Sequence, residues 1–125
     1  MHIKEFIAVG SGGFIGSVLR YLVSGWAYRF TNSPFPIGTL AVNTIGSFLL
    51  GLIMGLSSRA IISSNVRLFL AIGVMGGFTT FSTFSYETMM LLVHKSFGEA
   101  FLNITLSFFL GLILAYLGYI LGQTI

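Results

Sequence analysis

Four long apolar runs, joined by short polar connections, account for almost all of the chain and limit what it can fold into. A helix needs roughly 20 mostly apolar residues to cross a hydrocarbon core of about 30 Å. The runs that meet this length are approximately Ile3 to Phe30, Ile37 to Leu56, Val66 to Val93 and Phe97 to Ile120. A backbone in lipid must satisfy its own hydrogen bonds, and no apolar–polar alternation marks strands. The sequence therefore predicts an all-α membrane protein in which residues 1–125 form a single unit of four transmembrane helices.

The composition agrees with a chain that lies in lipid. Only 7% of its residues are charged and 55% are hydrophobic, which excludes a soluble enzyme and a disordered linker. Its six basic residues are scattered singly, so no patch can follow a phosphate backbone and nucleic acid is not an expected partner. The chain has no cysteine, which excludes disulfides and thiolate metal sites. We expect a multi-pass protein of the cell (inner) membrane, with membrane lipid as its surroundings and a first helix that is retained.

The basic residues are almost evenly divided between the two ends of the predicted helices. With four spans, one side of the membrane has Lys4, Arg59 and Arg67. The other side has Arg29 and Lys95, and also Arg20 if that residue lies near its helix end. Most inner-membrane proteins have a clear excess of Lys and Arg on the cytoplasmic side, so a near tie favours insertion in both orientations and an antiparallel dimer. The alternative is that the charges favour one orientation only weakly and that partner proteins determine the orientation. Pairing with a similar second subunit also remains open, although the balance of charge favours a homodimer.

Glycines recur at four-residue spacing in three of the runs. The pairs are Gly12 and Gly16, Gly51 and Gly55, and Gly118 and Gly122. Small residues at this spacing let helix backbones approach closely in lipid, where the hydrophobic effect does not drive association. The sequence therefore predicts that these glycines serve helix packing.

The third run concentrates glycines and hydroxyl side chains in its middle. Residues 73–85 contain three glycines and five Ser or Thr residues. Because each glycine lowers helix stability by about 1 kcal/mol, we predict a helix break at Gly76-Gly77 near the bilayer centre. Freed carbonyls at such a break suit a cation, and freed amides at a helix start suit an anion. The alternative is that the hydroxyls bond to their own helix and the glycines only pack.

Aromatic and amide side chains near this segment are candidate anion contacts. Phe81 and Phe84 lie three residues apart on one helix face, and Phe78 continues the row one turn earlier. The positive edge of a phenyl ring attracts anions, although most phenylalanines in such a chain face lipid or pack. Asn43 lies well inside the second run, where its amide either joins helices or offers N–H donors to an anion.

Arg20 and Glu87 are the only ionisable groups expected at depth, where such groups often have a function. Arg20 either extends its charge to the interface or draws anions into a vestibule. Glu87 either has a role in ion passage or simply completes a hydrogen-bond network with Thr83 and Thr88. Neither residue has the companions that catalysis requires, so we expect no enzyme activity.

These motifs together resemble the Fluc (CrcB) fluoride channel family over the whole length of the chain. The second run reads GTLAVNTIGS at 38–47, the third reads GGFTTFSTFSYE at 76–87, and the first reads GGFIGSVLRY at 12–21. The third-run motif is the specific part, because glycine pairs alone occur in many membrane helices.

The resemblance implies an antiparallel, dual-topology homodimer of four-helix subunits with two pores. It implies that fluoride passes passively out of the cytoplasm, which reduces its toxicity to the cell. In this sequence Phe81 and Phe84 would line the pore, Asn43 would contact the fluoride ion, and Arg20 would lie in the vestibule. Such amide and ring-edge contacts are compatible with a small, strongly hydrated anion that must exchange its water for many donors.

The same resemblance implies further polar contacts and a structural cation. Ser82, Thr83 and Glu87 would be neighbouring polar contacts of the fluoride path. The backbone carbonyls of Gly76 and Thr79 would hold a structural Na⁺ at the dimer centre.

The fourth run departs from the family in one respect. The family often has a polar track at four-residue spacing there, and this chain reads Asn103, Ser107, Gly111 and Ala115. We expect Asn103 and Ser107 to contribute to the fluoride path, with the outer end of the track replaced by backbone, water or another wall.

Two other functions remain open at this stage. A small multidrug-type exporter would share the four short spans and the dual topology, but it relies on a carboxylate within the first helix. This chain has only Glu5 at the start of that helix and a cation, Arg20, at its far end. A structural or assembly subunit would use the glycines and Asn43 for packing alone and would conduct no ions.

Overall fold

The fold is entirely helical over residues 2–125, which the computed structural model describes, and it contains no strand in that range. The helices are α1 (Ile3–Ala27), α2 (Ile37–Ser58), α3 (Ser64–Arg67), α4 (Gly76–Phe78), α5 (Phe81–Val93) and α6 (Phe97–Thr124). A 3₁₀ turn (Tyr28–Phe30) follows α1, and a π-helical stretch (Leu68–Met75) joins α3 to α4.

Four helical segments in residues 2–125 are long and apolar enough to cross a membrane. They are Ile3–Phe30, Ile37–Ser58, Ser64–Val93 and Phe97–Thr124. The predicted all-α class and the four membrane-crossing segments are therefore confirmed. We call Ser64–Val93 the third segment, because it contains α3, the π-helical stretch, α4 and α5.

α2 and α6 pack against each other through glycines. Gly51 faces Ala115 and Gly55 faces Tyr119, so the two helices run parallel. A Cβ atom built on Gly51 would overlap the Ala115 carbonyl oxygen, and one on Gly118 would overlap the carbonyl oxygen of Phe48. Such backbone-to-backbone contact tolerates no side chain, so the predicted packing role of these glycines is confirmed.

α1 packs in the same way against the third segment. A Cβ atom built on Gly73 would lie 2.9 Å from the Val9 carbonyl oxygen, and Gly12 and Gly16 press against the same stretch of backbone. Gly77 completes this contact, because its Cβ would lie 2.6 Å from the Gly13 carbonyl oxygen. The core lies between α2 and the third segment and contains Val42, Ile53, Ala71, Val74, Met75 and Phe78.

The third segment leaves the helical conformation later than the sequence predicts. Gly76 and Gly77 are helical, whereas Thr79 (φ −88°, ψ 158°) and Thr80 (φ −152°, ψ 121°) are extended. We call Thr79–Thr80 the interruption. The predicted position of the break, Gly76-Gly77, is wrong because the missing side chain of Gly77 serves the contact with α1 rather than a bend.

The helix that follows the interruption has a clear start. The Thr80 hydroxyl oxygen accepts a hydrogen bond from the Thr83 backbone N–H at 3.1 Å, as the N-cap residue of α5. The same residue therefore ends the extended stretch and begins the next helix.

Candidate functional site

The Asn43 side chain in α2 is paired with the backbone of Thr80. Its Nδ2 donates to the Thr80 carbonyl oxygen at 2.9 Å, and its Oδ1 accepts from the Thr80 N–H at 2.7 Å. Because a backbone N–H can only donate, this contact fixes which way the Asn43 amide faces. The pair satisfies both polar groups that the interruption frees at Thr80, a requirement for irregular backbone at membrane depth.

One N–H of the Asn43 amide is not used in this pair. A side-chain amide has two N–H donors, and the Thr80 carbonyl accepts one of them through a contact of 2.9 Å. The second donor is held in a fixed direction by the first. Asn43 can therefore join helices and offer a donor to an anion at the same time, two roles that the sequence presented as alternatives.

The interruption also takes away the helical donors of two backbone carbonyls. In a continuous helix the Gly76 carbonyl would accept from the Thr80 N–H, which here donates to Asn43. The last helical hydrogen bond of α4 runs from the Thr79 N–H to the Met75 carbonyl at 3.0 Å. The carbonyls of Gly76, in the last turn before the interruption, and of Thr79, within it, therefore lack their usual helical donors.

Three hydroxyl residues at the start of α5 form a cluster: Thr80, Ser82 and Thr83. The Thr80 hydroxyl donates to Thr83 Oγ1 at 3.1 Å, and Thr80 Oγ1 lies 3.4 Å from Ser82 Oγ. The N-terminus of a helix also carries a partial positive charge. Thr80 belongs to this hydroxyl cluster through its side chain and pairs with the Asn43 amide through its backbone, so the cluster and the amide lie side by side.

Phe81 and Phe84 are adjacent, but Phe78 is not part of their row. The ring centroids of Phe81 and Phe84 are 5.8 Å apart, and Phe81 is 79% exposed in the single chain. Phe78 is buried in the core between α2 and the third segment. The expectation that Phe78 continues the row is wrong, because the extended residues of the interruption separate it from α5.

A cavity of about 230 Å³ adjoins the Asn43–Thr80 pair. We call it the Arg20 cavity, and its lining residues are Ser17, Arg20, Tyr21, Ser24, Thr39, Val42, Thr80 and Thr83. Arg20 is half-buried, and most of the other lining residues carry hydroxyl groups. The hydroxyls of Ser24, Thr39 and Thr80 donate to other protein groups, which leaves those of Ser17, Tyr21 and Thr83 as donors beside one cationic side chain, an arrangement suited to an anion.

Glu87 accepts hydrogen bonds from two other segments. The Tyr28 hydroxyl donates to Glu87 Oε2 at 2.6 Å, and the Thr39 hydroxyl donates to Glu87 Oε1. The expected network of Glu87 with Thr83 and Thr88 is not formed, because Thr88 donates to the Phe84 carbonyl at 2.7 Å. Sequence reasoning missed Tyr28, since nothing in the sequence pairs it with a residue 59 positions away.

Asn103 and Ser107 lie on α6, where their hydrogen bonds lead towards α5. Asn103, only 1% exposed, donates from Nδ2 to Thr88 Oγ1 at 2.9 Å, and Ser107 Oγ lies 3.5 Å from Asn103 Oδ1. These contacts therefore reach Thr88 and not the Asn43–Thr80 pair.

The line of polar residues on α6 ends where α2 approaches. A Cβ built on Gly111 would lie 3.8 Å from the Ser47 hydroxyl, so α2 places a hydroxyl opposite this glycine. One turn further, the Ala115 backbone is in direct contact with Gly51. The side of α6 that carries Asn103 is thus closed by backbone packing at Ala115.

Comparison with known proteins gives consistent similarities over nearly the whole chain. Residues 7–119 match the family model described as CrcB-like protein, Camphor Resistance (CrcB). The chain is 49% identical over 122 residues to a fluoride-specific ion channel FluC of Thermus thermophilus, which covers 98% of this chain and 96% of the relative. It is 46% identical to the protein of that name from Campylobacter fetus, over 95% of this chain and 94% of the relative. It is 47% identical to fluoride-specific ion channel FluC 1 of Methanosarcina acetivorans, over 91% of this chain and 87% of the relative.

Proposed function

Because this chain belongs to the CrcB family of multi-pass membrane proteins, we propose that it is a fluoride-selective ion channel. The family consists of ion channels and not of enzymes. The observation that carries the proposal is the near-full-length similarity to proteins named for this activity. The channel would let fluoride leave the cytoplasm passively, down its gradient, and so reduce fluoride toxicity.

The Asn43–Thr80 pair and the hydroxyl cluster support fluoride as the permeating ion. Fluoride is small and strongly hydrated, so a pore must replace its lost water with several donors at short range. The second N–H of Asn43 and the hydroxyls of Ser82 and Thr83 are donors without a fixed charge. Uncharged donors let an anion enter and leave, whereas a lysine or arginine at mid-pore would hold it too strongly.

Phe81 and Phe84 are the proposed aromatic contacts of the same path. Their rings are adjacent, and the ring edge carries the positive end of the quadrupole.

Arg20 is the proposed vestibule residue. Arg20 lines a cavity that Thr80 and Thr83 also line, so an anion attracted by Arg20 would already be next to the hydroxyl cluster. A charge at the mouth of a pore raises the local concentration of the opposite ion without trapping it at the centre. Asn103, Ser107 and Glu87 would be further polar contacts of the fluoride path.

The proposed assembly is an antiparallel homodimer with two pores. The near balance of basic residues between the two ends of the helices supports insertion in both orientations. The balance favours self-pairing, since a chain that inserts both ways would supply both halves of the dimer.

A structural Na⁺ at the dimer centre is also proposed. The carbonyls of Gly76 and Thr79 fit it, because carbonyl oxygens are the hard ligands that such a cation prefers and the interruption takes away the helical donors of both. When bound, the ion would supply a fixed positive charge where two interrupted segments meet. Two carbonyls are too few for one cation, so this proposal depends on a second copy that contributes two more.

Growth in fluoride tests the proposed activity. A bacterial strain without its own fluoride export system should grow at raised fluoride when it expresses this chain, and should fail to grow with an empty vector. Expression of the protein without any gain in fluoride tolerance would contradict the proposal.

A further inference from the structure

Tyr28 contacts the proposed fluoride path from outside the motifs that identify the family. It lies in the 3₁₀ turn after α1, and its hydroxyl donates to Glu87 Oε2 at 2.6 Å. The hydroxyl of Thr39 in α2 donates to the other oxygen, Oε1. Each oxygen of this carboxylate therefore accepts from a different segment, and three segments meet at Glu87.

The position of the Tyr28 ring depends on a glycine. A Cβ atom built on Gly38 would lie 2.6 Å from Tyr28 Cε2 and 3.0 Å from Cδ2. Only the absence of a side chain at position 38 lets the ring lie against α2 at this distance. The contact between the Tyr28 hydroxyl and Glu87 is thus built into the packing of α1 on α2.

Thr39 connects this carboxylate to the Arg20 cavity. It is 4% exposed, it lines the cavity, and it donates to Glu87. A carboxylate beside an anion-attracting cavity raises the energy of an anion there, and it does so more strongly where water is scarce. Hydroxyl dipoles that point at the carboxylate offset part of its field and hold it in place.

We propose that Tyr28 is a positioning residue for anion passage: its hydroxyl holds the Glu87 carboxylate against Thr39 and limits the repulsion that this charge exerts on an anion in the Arg20 cavity. The inference rests on the proposed function. Tyr28 itself need not touch the permeating ion, because it acts through Glu87.

Single-channel recording of the purified protein in planar bilayers tests this role. Tyr28→Phe removes one oxygen atom and keeps the ring on Gly38, and we expect its unitary fluoride current to fall about five- to ten-fold, the size typical of one lost hydrogen bond. A purely structural role would lower the number of active channels and leave the unitary current unchanged. The matched control is Tyr116→Phe, on a ring that is 64% exposed on α6, and it should conduct as the unsubstituted chain does.

The same substitution in a Glu87→Gln background tests whether Tyr28 acts through the carboxylate. Without a charge at position 87, Tyr28→Phe should change the unitary current by less than about two-fold. An equal loss in both backgrounds would overturn the proposal, as would an unaltered current in Tyr28→Phe. A Glu87→Gln channel that carries no current would also overturn it, because the charge would then be required. If the unsubstituted chain conducts no fluoride, the proposed function fails; if it conducts and Tyr28→Phe is unaffected, only this inference fails.

Discussion

Asn43 uses one amide group to hold an irregular backbone and to present a donor. Its Oδ1 and one N–H are taken by the Thr80 backbone, at 2.7 and 2.9 Å. The geometry of the remaining N–H is then set by these two contacts rather than by a flexible side chain. A fixed donor is already oriented when the ion arrives, which lowers the cost of replacing its water.

An isosteric substitution tests these two contributions together. Asn43→Asp keeps the acceptor for the Thr80 N–H but removes both amide donors and places a negative charge against the Thr80 carbonyl. We expect fluoride efflux from proteoliposomes to fall by about 100-fold or more, since a buried unpaired charge costs several kcal/mol. The charge-matched control is Asn65→Asp on the exposed surface of α3, which should transport normally. Normal efflux through Asn43→Asp would contradict the role given to this amide.

The adjacent rings give a second prediction at the scale of single residues. Phe81→Ile and Phe84→Ile each keep an apolar side chain but remove the ring edge, so fluoride efflux from liposomes should fall by about ten-fold or more. Phe101→Ile, at a ring that is 72% exposed on α6, serves as the control and should not change the efflux. Unchanged flux in both Phe81→Ile and Phe84→Ile would refute their assignment to the pore.

At the scale of elements, glycines set the distance between helices. In α6, the backbone of Gly118 touches that of α2 at Phe48 and Leu52, whereas Gly98 in the first turn has no neighbour within 4 Å of a built Cβ. The same substitution in one helix therefore meets a neighbouring backbone at one position and open space at the other.

These two glycines make a matched pair for measuring stability. Gly118→Ala should lower the free energy of unfolding by about 1–3 kcal/mol, because the backbone of α2 cannot move aside as a side chain would. Gly98→Ala should leave it unchanged or raise it by up to about 1 kcal/mol, since alanine favours the helix. Thermal unfolding of both variants in detergent measures the difference. Equal effects at the two positions would show that close α2–α6 packing is not what Gly118 provides.

The elements also show how far the sequence could predict this fold. The four apolar runs predict the four membrane-crossing segments within a few residues, because helix length in lipid follows directly from apolar run length. The position of the interruption could not be predicted, since Thr80 leaves the helix to bond Asn43, 37 positions earlier. Glycine composition indicated Gly76-Gly77 instead, where Gly77 in fact serves contact with α1.

The candidate site was predictable in part. The motifs of single runs predicted Asn43, Arg20, Thr83 and Glu87 as site residues, and their roles in ion passage stay predictions. The structure links Asn43 to Thr83 through Thr80. Tyr28 was not identified, because its contact with Glu87 depends on how two distant segments pack. Contacts between distant segments produce no periodic pattern in the sequence from which they could be predicted.

At the scale of the whole molecule, few charges are available to orient the chain in the membrane. Six basic residues are divided almost evenly between the two ends of the helices, and a net charge of +3 gives no strong preference by itself. The predicted antiparallel homodimer depends on this balance, because it needs both orientations from one gene product.

Reporter fusions measure the orientation directly. A reporter active only in the cytoplasm and one active only outside it, each fused after Ile125, should both give a signal in the same host. Replacing Arg59 and Arg67 with glutamine should shift the ratio of the two signals, because it removes basic residues from one side only. A single fixed orientation of the unsubstituted chain would contradict dual topology.

Anion flux from liposomes that contain only this purified chain tests the central claim most directly. Fluoride and chloride efflux would be measured side by side with ion-selective electrodes, against protein-free liposomes. We predict rapid fluoride efflux without chloride efflux, since several donors at short range replace the lost water of the smaller anion better than that of the larger one. No fluoride efflux, or equal efflux of the two anions, would contradict the assignment of this chain as a self-sufficient fluoride channel.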